Sequence, residues 1–99
     1  MSSLLVTLSE NSAVVTATVI IVDAARVTTT LTSPDFNNGP ATINNFTPYA
    51  NNGFDATLTI ACGVLGRATV TFAIDGTPLA ANVCLKANNA RKTDPEQFR

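Results

Sequence analysis

Gly66-Arg67-Ala68-Thr69-Val70-Thr71-Phe72-Ala73-Ile74-Asp75-Gly76-Thr77-Pro78-Leu79 is the stretch that decides how the chain is read. Ala68, Val70, Phe72 and Ile74 alternate with Thr69, Thr71 and Ala73, and then Asp75-Gly76 opens a new segment. Successive side chains of a strand point to opposite faces, so this alternation gives one apolar and one polar face. Asp-Gly after such a run is a strong hairpin signal, because both residues accept positive φ. The pattern predicts a strand over 67–74, a two-residue turn and a returning strand over 78–86.

The same pattern extends outward in both directions. Leu4, Val6 and Leu8 share one face of a short strand over 4–10, and Asn11-Ser12 reads as a turn. Val15, Ala17, Val19 and Ile21 continue the apolar face in the longest strand, opposed by Thr16 and Thr18. Ile20 and Val22 interrupt that polar face, which implies cover by a loop or by another subunit. After Asp23-Ala24-Ala25, residues 26–32 alternate again, with threonine at a density that suits a pleated surface and disfavours helix. A further strand is expected over 56–62, with Ala56, Leu58, Ile60 and Cys62 inward, joined to 67–74 through Gly63-Val64-Leu65-Gly66.

Two regions break the pattern. Residues 34–55 are rich in Asn, Gly and Pro, and read as an irregular, partner-facing loop anchored by Phe36, Phe46, Tyr49 and Phe54. Asn37-Asn38-Gly39 and Asn51-Asn52-Gly53 each precede Ala-Thr and an aliphatic residue, which we read as two turns launching strands. From residue 88 the alternation stops. The sequence divides into a sandwich domain over 1–87 and a charged segment over 88–99, either a solvated tail or a docking arm. Six to seven short strands at this spacing indicate two packed antiparallel sheets or a small barrel, with no significant helix.

The 99 residues make one domain, and an apolar share of 45% is enough for a core. Only 13% of residues are charged, about half the usual share, so the surface polarity rests on Thr, Asn and Ser. A net charge of −1 offers no basic field for nucleic acid. No run approaches the roughly 20 apolar residues of a membrane-spanning helix. Residues 1–12 show no charged segment followed by an apolar stretch, so no signal peptide and no membrane partner are expected.

Reactive chemistry is sparse. The chain has no histidine, which removes the commonest general base, the usual triads and the usual zinc ligands. The carboxylates Glu10, Asp23, Asp35, Asp55, Asp75, Asp94 and Glu96 are scattered singly, with no calcium-loop spacing. Asp23, Asp55 and Asp75 flank strand ends, where aspartate is an ordinary turn residue; a calcium ion shared among them is the lesser reading. Asn45-Phe46-Thr47 fits a glycosylation sequon, but Pro48 follows it and no export signal precedes it. The expectation is a protein that is not an enzyme, with no catalytic residue, cofactor or metal. Cys62 and Cys84 are expected as thiols. Cys62 shares the inward face of its strand, whereas Leu79, Ala81, Val83 and Leu85 put Cys84 on the opposite face of the returning strand, so a disulfide is disfavoured.

The stretch 66–79 resembles bacterial immunoglobulin-like repeat domains, which carry a Gly-x-x-Thr-Val-Thr-Phe strand followed by Asp-Gly-Thr-x-Leu. Thr28-Thr29-Thr30-Leu31-Thr32-Ser33 is similar to the Thr-rich opening of such repeats. The resemblance implies an Ig-like sandwich used for display, adhesion or assembly, on bacterial surfaces or as an accessory domain of phage particles. The chain departs from it in its Asn-rich middle, its two cysteines and the strands before the Thr-rich opening.

Together these readings lead us to expect a structural subunit, foremost a phage virion accessory protein that decorates a capsid or tail and binds neighbouring protein subunits. Its contact arms would be residues 1–10 and 88–99, with Arg91, Lys92, Phe98 and Arg99 as docking residues. The alternative is a cell-surface adhesin module in which Phe46, Tyr49, Asn51, Asn52 and Phe54 meet a glycan or protein. A third reading is a fibre subunit that exchanges its N-terminal strand.

Overall fold

A computed structural model describes residues 2–49, 53–62, 64–79, 84–88 and 96–97. Among the described residues nine strands follow one another: β1 Ser2–Glu10, β2 Val14–Val22, β3 Thr28–Thr32, β4 Ala41–Phe46, β5 Asp55–Cys62, β6 Arg67–Ile74, β7 Thr77–Pro78, β8 Cys84–Asn88 and β9 Glu96–Gln97. A 3-10 turn, Ser33–Phe36, lies between β3 and β4. One sheet has the order β4-β1-β6, with β7 and β8 both on the far edge of β6; the other has the order β3-β2-β5-β9. All pairings are antiparallel. The expected sandwich is therefore formed, rather than a closed barrel.

The pairings are nested. β1 lies beside β6 in one sheet, and β2 lies beside β5 in the other. The chain thus crosses between sheets twice at the same corner, at residues 11–13 and again between Cys62 and Arg67. The two crossings hold each other: the Asn11 N–H donates to Arg67 O at 3.1 Å. A two-stranded ribbon folded over at this corner places both apolar faces against one another, as burial demands of half-apolar sheets.

The core follows the period-two pattern. Leu4 and Val6 of β1, Ala17, Val19 and Ile21 of β2, Ala56, Leu58 and Ile60 of β5, and Ala68, Val70, Phe72 and Ile74 of β6 are all buried. Each large aliphatic side chain so buried contributes about 1.5–3 kcal/mol. Phe54 joins the aromatic part of the core, with ring centroids 5.6 Å from Phe46 and 4.9 Å from Phe72, both edge-on.

The hairpin at Asp75-Gly76 forms with both residues at positive φ, 51° and 83°, as a turn matched to the twist of the strands requires. The pairings on its returning side do not share one register. β7 pairs Pro78 with Ala73, whereas β8 pairs Cys84 with Thr71, so four extra residues intervene on that edge. Four is an even number, and the phase survives: Leu85 and Ala87 are buried while Lys86 is exposed.

Three expectations need correction. The inward face of the long strand does not begin at Val15. Val14 pairs with Cys62 and Thr16 with Ala61, so Val15 is an extra residue in a bulge; Val14 packs on the core and Val15 is 77% exposed. Residues 34–55 are not one irregular loop, because β4 is built into the first sheet beside β1. Residues 1–10 are not an arm either. β1 has a partner on each side, and its Leu4 and Val6 lie in the core. In the segment over 88–99, Glu96 and Gln97 pair with Ala56 and Asp55.

The outer face of the second sheet is largely threonine. Thr18 lies between Thr32 and Thr59, and Ile20 between Thr30 and Thr57. Ile20 remains 38% exposed, so no described loop fully covers it.

Candidate functional site

The aromatic and amide cluster expected as a contact surface is divided by the fold. Phe46 and Phe54 are 1% and 0% exposed, so their rings are core and offer no face to a ligand. Both lie in the segment that reads as a loop, and apolar residues in irregular sequence carry no period that would mark them as inward. Tyr49 is half-buried; its N–H donates to Gly53 O at 2.9 Å, closing the connection between β4 and β5. Asn51 and Asn52 lie outside the described residues, as do Arg91, Lys92, Phe98 and Arg99.

Cys62 and Cys84 are on different sheets, both half-buried, and their sulfurs are not bonded to one another. Cys62 packs against the core, while Cys84 pairs with Thr71 on the outward phase of β8. Among the described residues no group of three or more His, Cys, Asp or Glu side chains is placed to hold a metal ion. No helix among them is long and apolar enough to cross a membrane.

Five polar side chains, those of Asn11, Asp23, Ser33, Asp35 and Asp75, are bonded to the chain's own backbone. Asp23, buried at the end of β2, accepts the N–H groups of Ala25 at 3.0 Å and Val27 at 3.1 Å on Oδ1, and of Thr47 at 3.1 Å on Oδ2. Arg26 adopts φ 64° in the same turn, and Ala24 N–H donates to Thr47 O at 2.8 Å. Asp35 Oδ2 accepts the Thr32 N–H at 2.8 Å at the start of the 3-10 turn. Ser33 Oγ accepts the Ala17 N–H at 2.8 Å, extending the ladder of β2 beyond the end of β3.

Asp75 Oδ1 accepts the Ser3 N–H at 2.9 Å, and its own N–H donates to Ser3 O at 3.0 Å. The Ser3 N–H on its carboxylate, with help from the Ser2 hydroxyl, holds the Asp75 carboxyl below its ordinary pKa. The sequence marks Asp23 and Asp75 as turn residues. It carries no sign of the distant partners Thr47 and Ser3, because these pairings arise only when the sheets assemble.

The opposite corner is fastened by Asn11. Its Nδ2 donates to Leu65 O at 2.7 Å and its Oδ1 accepts the Arg67 N–H at 3.1 Å. Beside it an open cleft of about 360 Å³ is lined by Ser9, Glu10, Asn11, Arg67, Ala68 and Thr69. Its lining holds Glu10 and Arg67 beside two hydroxyls and an amide, and none of these residues is aromatic. Its shape and chemistry suit contact with another polar surface better than enclosure of a substrate.

In comparisons with known proteins, no family model, curated protein or solved structure matches this chain.

Proposed function

We propose that this chain is a non-enzymatic structural subunit whose partners are other protein subunits, and specifically an accessory protein of a phage virion that decorates its capsid or tail. The reading is supported by how the polar groups are spent. Asp23, Asp35, Asp75 and Asn11 bind backbone groups of their own chain and fasten turns and sheets together. Around them the outer face of the second sheet is threonine-rich. Such a domain is a rigid block whose surface is its product, as a decorating or lattice-forming subunit requires.

The resemblance of residues 28–33 and 66–79 to immunoglobulin-like repeats supports the same class of role by analogy. The adhesin reading loses two of its three rings to the core, and no observation favours it over assembly. Docking by residues 88–99, with Arg91, Lys92, Phe98 and Arg99, belongs to this proposal.

The test is to probe purified particles and the soluble fraction of the producing culture with an antibody against the chain. A fixed stoichiometry in the particles, lost on deletion of residues 88–99, supports the reading. Confinement of the chain to the soluble fraction overturns it.

A further inference from the structure

β3 is the outer strand of the second sheet, and among the described residues no strand pairs with its far side. The phase of its backbone is fixed at its entry. The Asp23 N–H donates to Val27 O at 3.3 Å and the Val27 N–H donates to Asp23 Oδ1 at 3.1 Å, so both backbone groups of Val27 turn toward the β2 side. Successive residues of an antiparallel strand aim these groups to alternate sides. Thr29 and Leu31 therefore bond toward β2, while Thr28, Thr30 and Thr32 aim at the open edge. Thr32 agrees with this phase, since its N–H is taken by Asp35 Oδ2 at 2.8 Å. At the other end the Arg26 N–H donates to Asp23 O at 3.0 Å. Between these two closures the edge presents the N–H and C=O of Thr28 and Thr30, both exposed residues.

The other edges are blunted. β4 carries a register shift against β1, and Asn45 within it has φ 58°. The far edge of β6 is divided between β7 and β8, with Pro78 on it, and β9 is a strand of 2 residues. Bulges, proline and short length are what keep sheet edges from pairing with other chains. β3 has no charge, no proline and no register shift.

We propose that β3 pairs antiparallel with β3 of a second copy across a two-fold axis at Thr29, which joins the two second sheets into one continuous sheet. The register follows from the edge groups. With Thr29 opposite its own image, Thr28 of each copy lies opposite Thr30 of the other, and each such pair exchanges both of its N–H···O bonds. The same register selects the occupant. On the core-facing phase it sets Val27, 58% exposed, against Leu31 of the other copy, which packs on the edge of its core. On the outer phase threonine meets threonine, a favourable cross-strand pair. Arg26 comes opposite Thr32 of the other copy, where Asp35 holds the Thr32 N–H, so unlike charges meet at both ends. Any extended strand can satisfy the backbone groups. The chain's own image also supplies the leucine opposite Val27 and the carboxylate opposite Arg26.

Pairing along so short a strand covers less than the roughly 800 Å² per partner of a standard stable interface. The dimer is accordingly weak in free solution and gains strength where copies are held side by side on a lattice. This contact extends the assembly reading proposed above. Its test needs only the isolated full chain, so either can fail while the other stands.

The experiment is sedimentation velocity on the full chain from about 10 μM to about 1 mM, across which wild type shifts from monomer to dimer. Thr30→Pro removes an N–H that the ladder to β2 does not use; checked for folding by circular dichroism, it weakens dimerisation at least about tenfold. Arg26→Asp, a residue type that accepts positive φ, sets two acids together at each end and weakens the dimer as well. Amide exchange of the wild type, followed by nuclear magnetic resonance, slows at Thr28 and Thr30 as concentration rises and is unchanged along β4. A wild-type monomer at about 1 mM, oligomers larger than a dimer, a dimer indifferent to either substitution, or exchange at Thr28 and Thr30 that does not respond to concentration overturns the proposal.

Discussion

Oδ2 of Asp23 accepts the backbone N–H of Thr47 at 3.1 Å, and this bond fastens the β2–β3 connection of one sheet to the chain leaving β4 in the other. Asn11 fastens the two crossings at the opposite corner. Sheets packed only by side chains can slide; these two polar residues set where each end of the sandwich closes.

Asp23→Ala leaves three N–H groups without their acceptor in a partly buried turn. Each orphaned donor costs of the order of 1 kcal/mol or more, so the variant loses about 2–4 kcal/mol. Asp23→Asn retains one oxygen for Ala25 and Val27 and loses less. Urea unfolding of the three proteins checks the order; equal stability of wild type and Asp23→Ala would remove the staple from the account.

Asp75 makes stability depend on pH in a predictable direction. Its folded pKa is lowered by the Ser3 N–H and the Ser2 hydroxyl, so between the folded and unfolded values the unfolded chain binds more protons. The contribution is present above the ordinary carboxylate value of about 3.9 and is lost as pH falls through the folded value. Asp75→Asn is less stable than wild type at neutral pH, and the difference disappears in acid. Denaturation at neutral and low pH tests this, and a difference that grows in acid contradicts it.

The bulge in β2 separates two adjacent valines by consequence. Val14 packs on the core and Val15 is mainly exposed. Val14→Ala costs about 1–2 kcal/mol through lost contacts. Val15→Ser changes stability by less than about 0.5 kcal/mol. A strand without the bulge gives the reverse order, so thermal melts of these two variants decide the phase.

Both cysteines react as thiols in the absence of reductant. They sit on separate sheets with sulfurs that are not joined. Alkylation followed by mass spectrometry finds two modified residues, Cys84 ahead of Cys62 because Cys62 packs against the core. A reductant leaves the melting temperature unchanged. Recovery of a Cys62–Cys84 linked peptide from the native protein would contradict the fold.

The expected inward sets are largely the buried ones. Leu4, Val6, Ala17, Val19, Ile21, Leu58, Ile60, Val70, Phe72, Ile74 and Leu85 were all legible, because strand geometry ties each side chain to its neighbours two positions away. The candidate site was much less legible. Phe46 and Phe54 stand in sequence without period, so their use as core was hidden, and Val15 reads as inward until an extra residue is counted against Cys62 and Ala61.

The sequence by itself determined β1, β3, β5 and β6, β2 beyond its bulge, the phase of their faces and the Asp75-Gly76 turn, since each depends on residues within a few positions of one another. Only the tertiary structure decided that β1 nests against β6 while β2 nests against β5, that Asn11 and Asp23 fasten opposite corners, and that β4 joins the first sheet beside β1. An alternating pattern states which face of a strand seeks cover. It does not state which strand provides that cover, because any other apolar face of similar width satisfies the same hydrophobic demand.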